Sequence, residues 1–348
     1  MMKFSAVLAC VVSVGLSMPV IAQANHPVNP VSLMTWIPLP GIEGDFDFLT
    51  LDTKRNHVII AAEEHHSLEV FDAATGEHLQ SVPGVKTPHT LAYVSEKDEL
   101  LVADGGDYST LFLSAADFHQ VDRVQLIDGS ATGKTDSPDV GYYDAARRTF
   151  FIGNGGKSAK LPYSEITAIN VDSHKITGRI RVEGINLEAI AIDQKTDRLY
   201  VNIRDMKQIG VIDLKSMKVI DTWATPDLNL NTSMSLDEAN HRLFVVGRKP
   251  GIFYVFDTTT GKVVQQLPCV NIADGMAWDA ASKKIYVFAS QGMSVIHQDS
   301  PDHYSVLANL PTNGGKTGLL LPQSKQLFVV HPKTSIDDAG LLVYRVNQ

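Results

Sequence analysis

Seven polar side chains return at intervals of about 45 residues, each five places ahead of the marker that ends a short apolar run. They are Asp47, His89, Asp139, Glu188, Thr232, Asp274 and Thr317: four carboxylates, one imidazole and two hydroxyls. If the repeats close into a ring, these side chains converge on its axis. Converging carboxylates hold a hard cation such as Ca2+ or Mg2+ through oxygen, and Asp47, Asp139, Glu188 and Asp274 are the candidate ligands. A metal held there would polarise a carbonyl or activate water, giving lactonase, hydrolase or lyase chemistry with His89 as the candidate general base. The same ring can instead bind a small polar molecule or a protein partner without turnover. A structural role is a third option, because polar residues at strand starts hydrogen-bond neighbouring repeats and order channel water.

A second, outer ring follows the second apolar run of each repeat. It reads Glu63-Glu-His-His66, Asp104-Gly-Gly-Asp107, Asn154-Gly-Gly-Lys157, Asn202-Ile-Arg-Asp205, Gly247-Arg-Lys249, Ser290-Gln291 and His331-Pro-Lys333. Acid and imidazole gather in the first two repeats, whereas Arg204, Arg248, Lys249 and Lys333 fall in later ones. The basic side suits an anionic group, since a guanidinium pairs bidentately with carboxylate or phosphate. His65, Arg204, Arg248 and His331 therefore join the inner ring as candidate ligand contacts. Imidazoles at His65 and His66 suit a transition ion, but neighbours on an extended strand face opposite ways. Both ligate only if the loop bends.

Other chemical signatures are weak. Gly105-Gly106 and Gly153-Asn-Gly-Gly156 lack the following helix and the Gly-Lys-Ser/Thr ending of a phosphate cradle. Gly314-Gly-Lys316-Thr317 has such an ending but runs into a strand. No Gly-x-Ser-x-Gly nucleophile elbow occurs. Cys269 beside Pro268 reads as a small core filler. Asp52, Asp144, Asp193, Asp237 and Asp279 end the apolar runs and read as turn formers.

The elements that must carry these residues are short strands. In the first repeat they are 47–51, 57–62, 67–72 and 78–82, rich in Val, Ile, Leu and Phe. A period near 45 residues with four strands per repeat is that of a propeller blade. The reading is all-β: a seven-bladed β-propeller of four-stranded blades. The seventh repeat has only three strands before the chain ends. The segment Leu33-Met-Thr-Trp-Ile-Pro-Leu-Pro-Gly41 resembles the fourth strands of other repeats, so this N-terminal strand is expected to complete the last blade and leave no open edge.

Composition bounds the function. The 348 residues carry a net charge of −9, which argues against nucleic-acid binding. Met1–Ala24 has Lys3, an apolar stretch too short to span a bilayer, and Ala22-Gln-Ala24 as a small-x-small cleavage pattern. It is expected to be a signal peptide, leaving 25–348 as one domain in the periplasm or secreted. Cleavage takes 30 basic residues to 29 against 39 acidic, and leaves Cys269 alone. No transmembrane segment is expected. Ring closure needs no partner strand, so a monomer is expected.

Val85-Lys-Thr-Pro-His-Thr-Leu-Ala-Tyr93, Leu100-Leu-Val-Ala-Asp104, Arg198-Leu-Tyr-Val-Asn202 and Gly210-Val-Ile-Asp213 resemble the YVTN-repeat, or YncE-like, seven-bladed propellers. Leu236-Asp-Glu-Ala-Asn-His-Arg-Leu-Phe244 and Phe256-Asp-Thr-Thr-Thr-Gly-Lys-Val-Val264 extend the likeness over nearly all of the mature chain. The third repeat departs from it, with an insertion around 157–165. The resemblance implies the fold and export but no catalytic residue. The expected function is recognition at a polar, acid-rich channel mouth, with the metal-dependent enzyme and a protein-interaction scaffold as alternatives.

Overall fold

The computed structural model describes residues 29–347, and the expected signal segment lies outside them. The described residues form 28 strands in seven four-stranded antiparallel sheets, with no helix. Six sheets each use four strands consecutive in the chain. The seventh runs Val31–Leu39, Ala339–Val346, Gln326–His331 and Thr317–Leu321 from rim to axis. Pairing of Val31 with Val346 and Leu39 with Ala339 shows that the N-terminal strand completes the last blade, as expected from its sequence. The first blade has Leu49–Asp52, His57–Ala62, Ser67–Asp72 and His78–Pro83, so its inner strand starts two residues later than the apolar pattern suggested.

Burial follows position in the blade. Second strands are almost wholly buried, for example Glu99–Asp104, while outer strands such as Gln120–Gln125 expose all but one residue. Charged outer strands keep the edges from pairing with other chains. The cores lie between blades. Val58, Ile60 and Phe71 of blade one pack with Phe328, Val330 and Leu341 of blade seven, so closure is apolar as well as hydrogen-bonded.

The turns after the inner strands confirm the aspartate reading. Asp52 Oδ1 accepts the Lys54 and Arg55 amides at 2.9 and 3.1 Å, and Asp193 Oδ1 those of Lys195 and Thr196 at 2.9 and 3.1 Å. Each turn then ends on a non-glycine residue with positive φ: Asn56, Asp98, Arg148, Asp197, His241, Lys283 and Lys325. This sevenfold landmark registers the ring. The residue nine places earlier is Asp47, His89, Asp139, Glu188, Thr232 and Asp274 in the first six blades, but Lys316 in the seventh. Strand pairing agrees, because Leu321 opposite Gln326 occupies the place of Asp52 opposite His57. The seventh inner strand lacks the terminal aspartate, and Pro322 lies one residue beyond it. Lys316, not Thr317, is therefore the seventh ring residue.

The third blade's insertion lies between Thr149–Gly155 and Tyr163–Asn170. A longer departure precedes that blade, where residues 126–140 link Gln120–Gln125 to Gly141–Asp144 without a strand.

Candidate functional site

Each ring residue stands where the chain enters an inner strand, and that entry is held by the loop after the second strand. Asp104 is fully buried and its carboxylate accepts the Lys86, Thr87 and Gly106 amides at 2.9, 2.9 and 3.1 Å. This fixes the backbone just ahead of His89. Asp205 does the same in blade four, accepting the Ile185 and Asn186 amides. Ring positions are thus set by main-chain bonds, leaving the side chains free to face the axis.

The ring divides into two sides. On the side of blades one to three, His89 is buried and its Nδ1 lies 2.8 Å from Asp47 Oδ2, 3.8 Å from Asp139 Oδ1 and 4.0 Å from Glu63 Oε1. Its Nε2 donates to the Thr135 carbonyl at 3.0 Å, so residues from the long link before blade three cap the imidazole. Burial alone would disfavour charge on His89. The Asp47 hydrogen bond and the Asp139, Asp47 and Glu63 charges outweigh it, and the pKa rises to about 10. At neutral pH both ring nitrogens carry protons, which leaves His89 no lone pair with which to act as a general base. Burial pushes Glu63 up to about 7, with His89 opposing, and raises Asp139 well above the usual carboxylate range.

On the other side the carboxylates have guanidinium and ammonium partners. Glu188 Oε1 accepts from Arg204 Nη1 at 2.5 Å. Asp274 pairs with Arg248 through Oδ1 and with Lys316 Nζ at 3.2 Å through Oδ2. Lys316 also meets Asp45 at 2.5 Å. Burial pulls the Lys316 pKa down, but Asp274, Asp45 and Asp47 outweigh it and raise it. The mouth is therefore a mixed-charge surface rather than an acidic ring. Six carboxyls (Asp45, Asp47, Glu63, Asp139, Glu188, Asp274) meet four bases (His89, Arg204, Arg248, Lys316).

The other candidate residues separate. Of the four expected metal ligands, Asp47 and Asp139 share one space with His89, while Glu188 and Asp274 lie in ion pairs with arginine. Thr232 and Thr317 are buried, and their hydroxyls donate to the Ala273 and Asp47 carbonyls at 3.0 and 2.8 Å. They tie each inner strand to the next blade, the structural role that polar strand starts can serve. His331 is fully buried: Nδ1 donates to the Pro332 carbonyl and Nε2 accepts from Trp36 Nε1, both at 2.9 Å. It offers a ligand neither nitrogen. His65 Nδ1 accepts from the Glu43 amide at 3.4 Å, and His66 Nδ1 donates to the Lys86 carbonyl, so the two rings diverge.

A channel cavity of about 200 Å³ has a mixed lining, in which Leu49, Leu91, Ile190, Met234 and Met276 stand beside Thr90, Ser233 and Asp274. It leads into a wider opening walled by Tyr142, Ile192 and Leu236. Lys316 and the Thr135 cap are residues of the mouth that the sequence candidates did not include, and Glu63 stood only in the outer ring rather than among the candidate ligands. Registering the seventh blade by its strand pair would have found Lys316.

No family model matches the sequence. The uncharacterized protein YncE of Salmonella typhi and that of Salmonella typhimurium strain LT2 are each 29% identical over 127 residues, 36% of this chain and 34% of theirs. The chain thus matches about a third of the length of these curated relatives. Among solved structures, a chain of a mitotic checkpoint complex aligns with a TM-score of 0.73 at 14% identity, covering 99% of both chains. A chain of Kuenenia stuttgartiensis hydrazine synthase aligns with a TM-score of 0.70 at 15% identity, covering 86% of this chain and 99% of its own. Both show the fold alone. Weak homology to YncE and the ring of seven blades together support a YncE-like propeller family. No helix among the described residues is long and apolar enough to cross a membrane.

Proposed function

We propose that this YncE-like propeller is an exported recognition protein, and that its channel mouth binds a small molecule with a charged head and a short apolar body. The observation that carries the reading is the sequence of surfaces along the axis. A mouth divided between Glu63 and Asp139 on one side and Arg204, Arg248 and Lys316 on the other opens onto a cavity of about 200 Å³ where Leu49, Leu91, Ile190, Met234 and Met276 give apolar surface among polar groups. Small-molecule sites combine an apolar lining with a few convergent polar groups in this way. The charged groups would orient the head, and Met234 and Met276, whose thioether chains adapt to irregular shapes, would take the body. Export rests on the apolar stretch and cleavage pattern of the first 24 residues.

The test is native mass spectrometry of protein purified from the periplasmic fraction, followed by thermal-shift screening of zwitterionic and anionic amphiphiles. The expected result is a mature chain beginning at Asn25 and a ligand whose stabilisation is lost in Arg248→Gln. A ligand that stabilises Arg248→Gln as well as wild type would place binding elsewhere. Absence of any ligand, with capture of a protein partner through the broad faces, would favour the scaffold. Hydrolysis is the weaker reading, since both His89 ring nitrogens are engaged, Nδ1 with Asp47 and Nε2–H with the Thr135 carbonyl.

A further inference from the structure

Three carboxylates face one nitrogen of a buried imidazole. Asp47, Asp139 and Glu63 approach His89 Nδ1 to 2.8, 3.8 and 4.0 Å. Asp47 and His89 are buried, while the Asp139 and Glu63 side chains are 28% and 26% exposed toward the mouth. Neither Asp139 nor Glu63 has a closer side-chain partner among the described residues. The other ring nitrogen is committed outside the group, because Nε2–H donates to the Thr135 carbonyl. That bond holds the ring so that Nδ1 is the atom aimed at the carboxylates.

We propose that Asp47, Glu63, His89 and Asp139 form a binding site for one divalent transition-metal ion of the zinc type. Four features of a metal site coincide. The donor set is one imidazole nitrogen and three carboxylate oxygens, which suits a first-row ion better than Ca2+ or Mg2+, whose ligands are oxygen. Metal–ligand distances of about 2.0–2.1 Å put neighbouring donors of a tetrahedral site about 3.3–3.4 Å apart. The distances from His89 Nδ1 of 2.8, 3.8 and 4.0 Å bracket that spacing; Asp47, His89 and Asp139 already offer ligand atoms within 4.8 Å of one another, and Glu63 would move in to complete the shell. A metal-bound histidine characteristically donates its second N–H to a carbonyl or carboxylate, as His89 does to Thr135. Exposure of Asp139 and Glu63 gives the ion a route in from solvent.

Charge points the same way: a divalent ion in place of the Nδ1 proton would favour the ionised form of the carboxylates gathered around His89. The ion would occupy only the side of blades one to three. It takes Glu63 and Asp139 from the acidic side of the mouth and leaves Arg204, Arg248 and Lys316 to the ligand reading above, on which the zinc site does not rest.

The experiment is zinc titration of the full mature protein by calorimetry, with Ca2+ in parallel, on wild type, Glu63→Gln, Asp139→Asn, His89→Gln, His303→Asn and Arg248→Gln. The expected result is one Zn2+ per chain bound at least tenfold more tightly than Ca2+, weakened at least tenfold in Glu63→Gln and Asp139→Asn. Both positions are partly exposed, so these variants keep the test valid if His89→Gln fails to fold. Zinc-edge absorption of the wild-type complex should report a single imidazole among oxygen donors. His303 and His297 flank Asp299 on the surface at 3.0 and 2.8 Å and could chelate zinc adventitiously. Loss of binding in His303→Asn but not in Asp139→Asn would overturn the proposal, as would equal affinity for Ca2+ or no stoichiometric zinc. Arg248→Gln should bind zinc as wild type does, which separates failure of this site from failure of the ligand reading.

Discussion

Gly105→Ala probes how the mouth is capped. Gly105 does not have the positive φ that penalises a side chain, so the backbone accepts alanine. On that ground alone the substitution would stabilise the protein by about 0.4–1 kcal/mol, through the unfolded chain. The contacts oppose this. A Cβ built at Gly105 would lie 1.8 Å from the Thr135 carbonyl oxygen and 2.8 Å from His89 Nε2. The first is a backbone atom, so the capping segment itself must move, and overpacking of this kind costs about 1–3 kcal/mol. The clash outweighs the gain from a stiffer unfolded chain. Gly105→Ala should lose about 1–2 kcal/mol, a fall of roughly 2–4 °C in melting temperature for a chain of this size. Displacing Thr135 also releases the His89 N–H, and loss of such an outer hydrogen bond weakens metal affinity by about 10–100-fold. Thermal melting, zinc titration and hydrogen exchange across residues 126–140 read the three effects. A variant that melts at or above wild type, with unchanged protection in that segment, would show that Thr135 does not seat on His89 as described.

Two further substitutions test closure and the basic side of the mouth. Trp36→Phe removes the donor to buried His331 Nε2 and should cost about 1–3 kcal/mol in urea unfolding at pH 7.5, the penalty of stranding a buried acceptor. Burial depresses the His331 pKa below its ordinary value of 6.5, so the unfolded chain takes up the proton first. His331 then contributes stability that is complete above pH 6.5 and is lost progressively as pH falls from there through its depressed folded value, and the loss should be shallower in Trp36→Phe, where Nε2 is free. Parallel pH profiles of the two proteins would contradict this. Arg204→Gln leaves Glu188, only 7% exposed, without its ion-pair partner and should destabilise by about 3 kcal/mol, whereas the Arg204→Gln/Glu188→Gln pair should recover most of that loss. Equal melting temperatures for the single and double variants would mean that Arg248 alone suffices to hold Glu188.

What could be read from sequence here, and what could not, divides along a physical line. Strand number, blade period and closure by Val31–Leu39 were legible because they are written in local apolar alternation and in the aspartate turns, whose bonds span three residues. The ring of Asp47, His89, Asp139, Glu188, Thr232 and Asp274 was legible for the same reason, since its members share an offset from those turns. The seventh position failed where the local marker was missing: the strand ends at Leu321 without an aspartate, and Pro322 shifted the register by one residue, hiding Lys316. The split of charge around the mouth was legible in part, with Arg204 and Arg248 on its basic side, but not which carboxylates those arginines pair with. Arg204 and Arg248 lie 16 and 26 residues from Glu188 and Asp274, and only long side chains reaching in from the next loop turn an acidic ring into paired charges. Thr135 is further still, 46 residues from His89, on a link that interrupts the repeat and so carries no periodic signal. A repeat protein declares in its sequence what every blade shares. What distinguishes one blade from another lies in the departures from the repeat, and here both the imidazole's cap and its carboxylate neighbour Glu63 sit in segments outside the strand pattern. The chemistry of the mouth is thus set by those irregular segments, and substitutions there should alter binding while leaving the ring of strands intact.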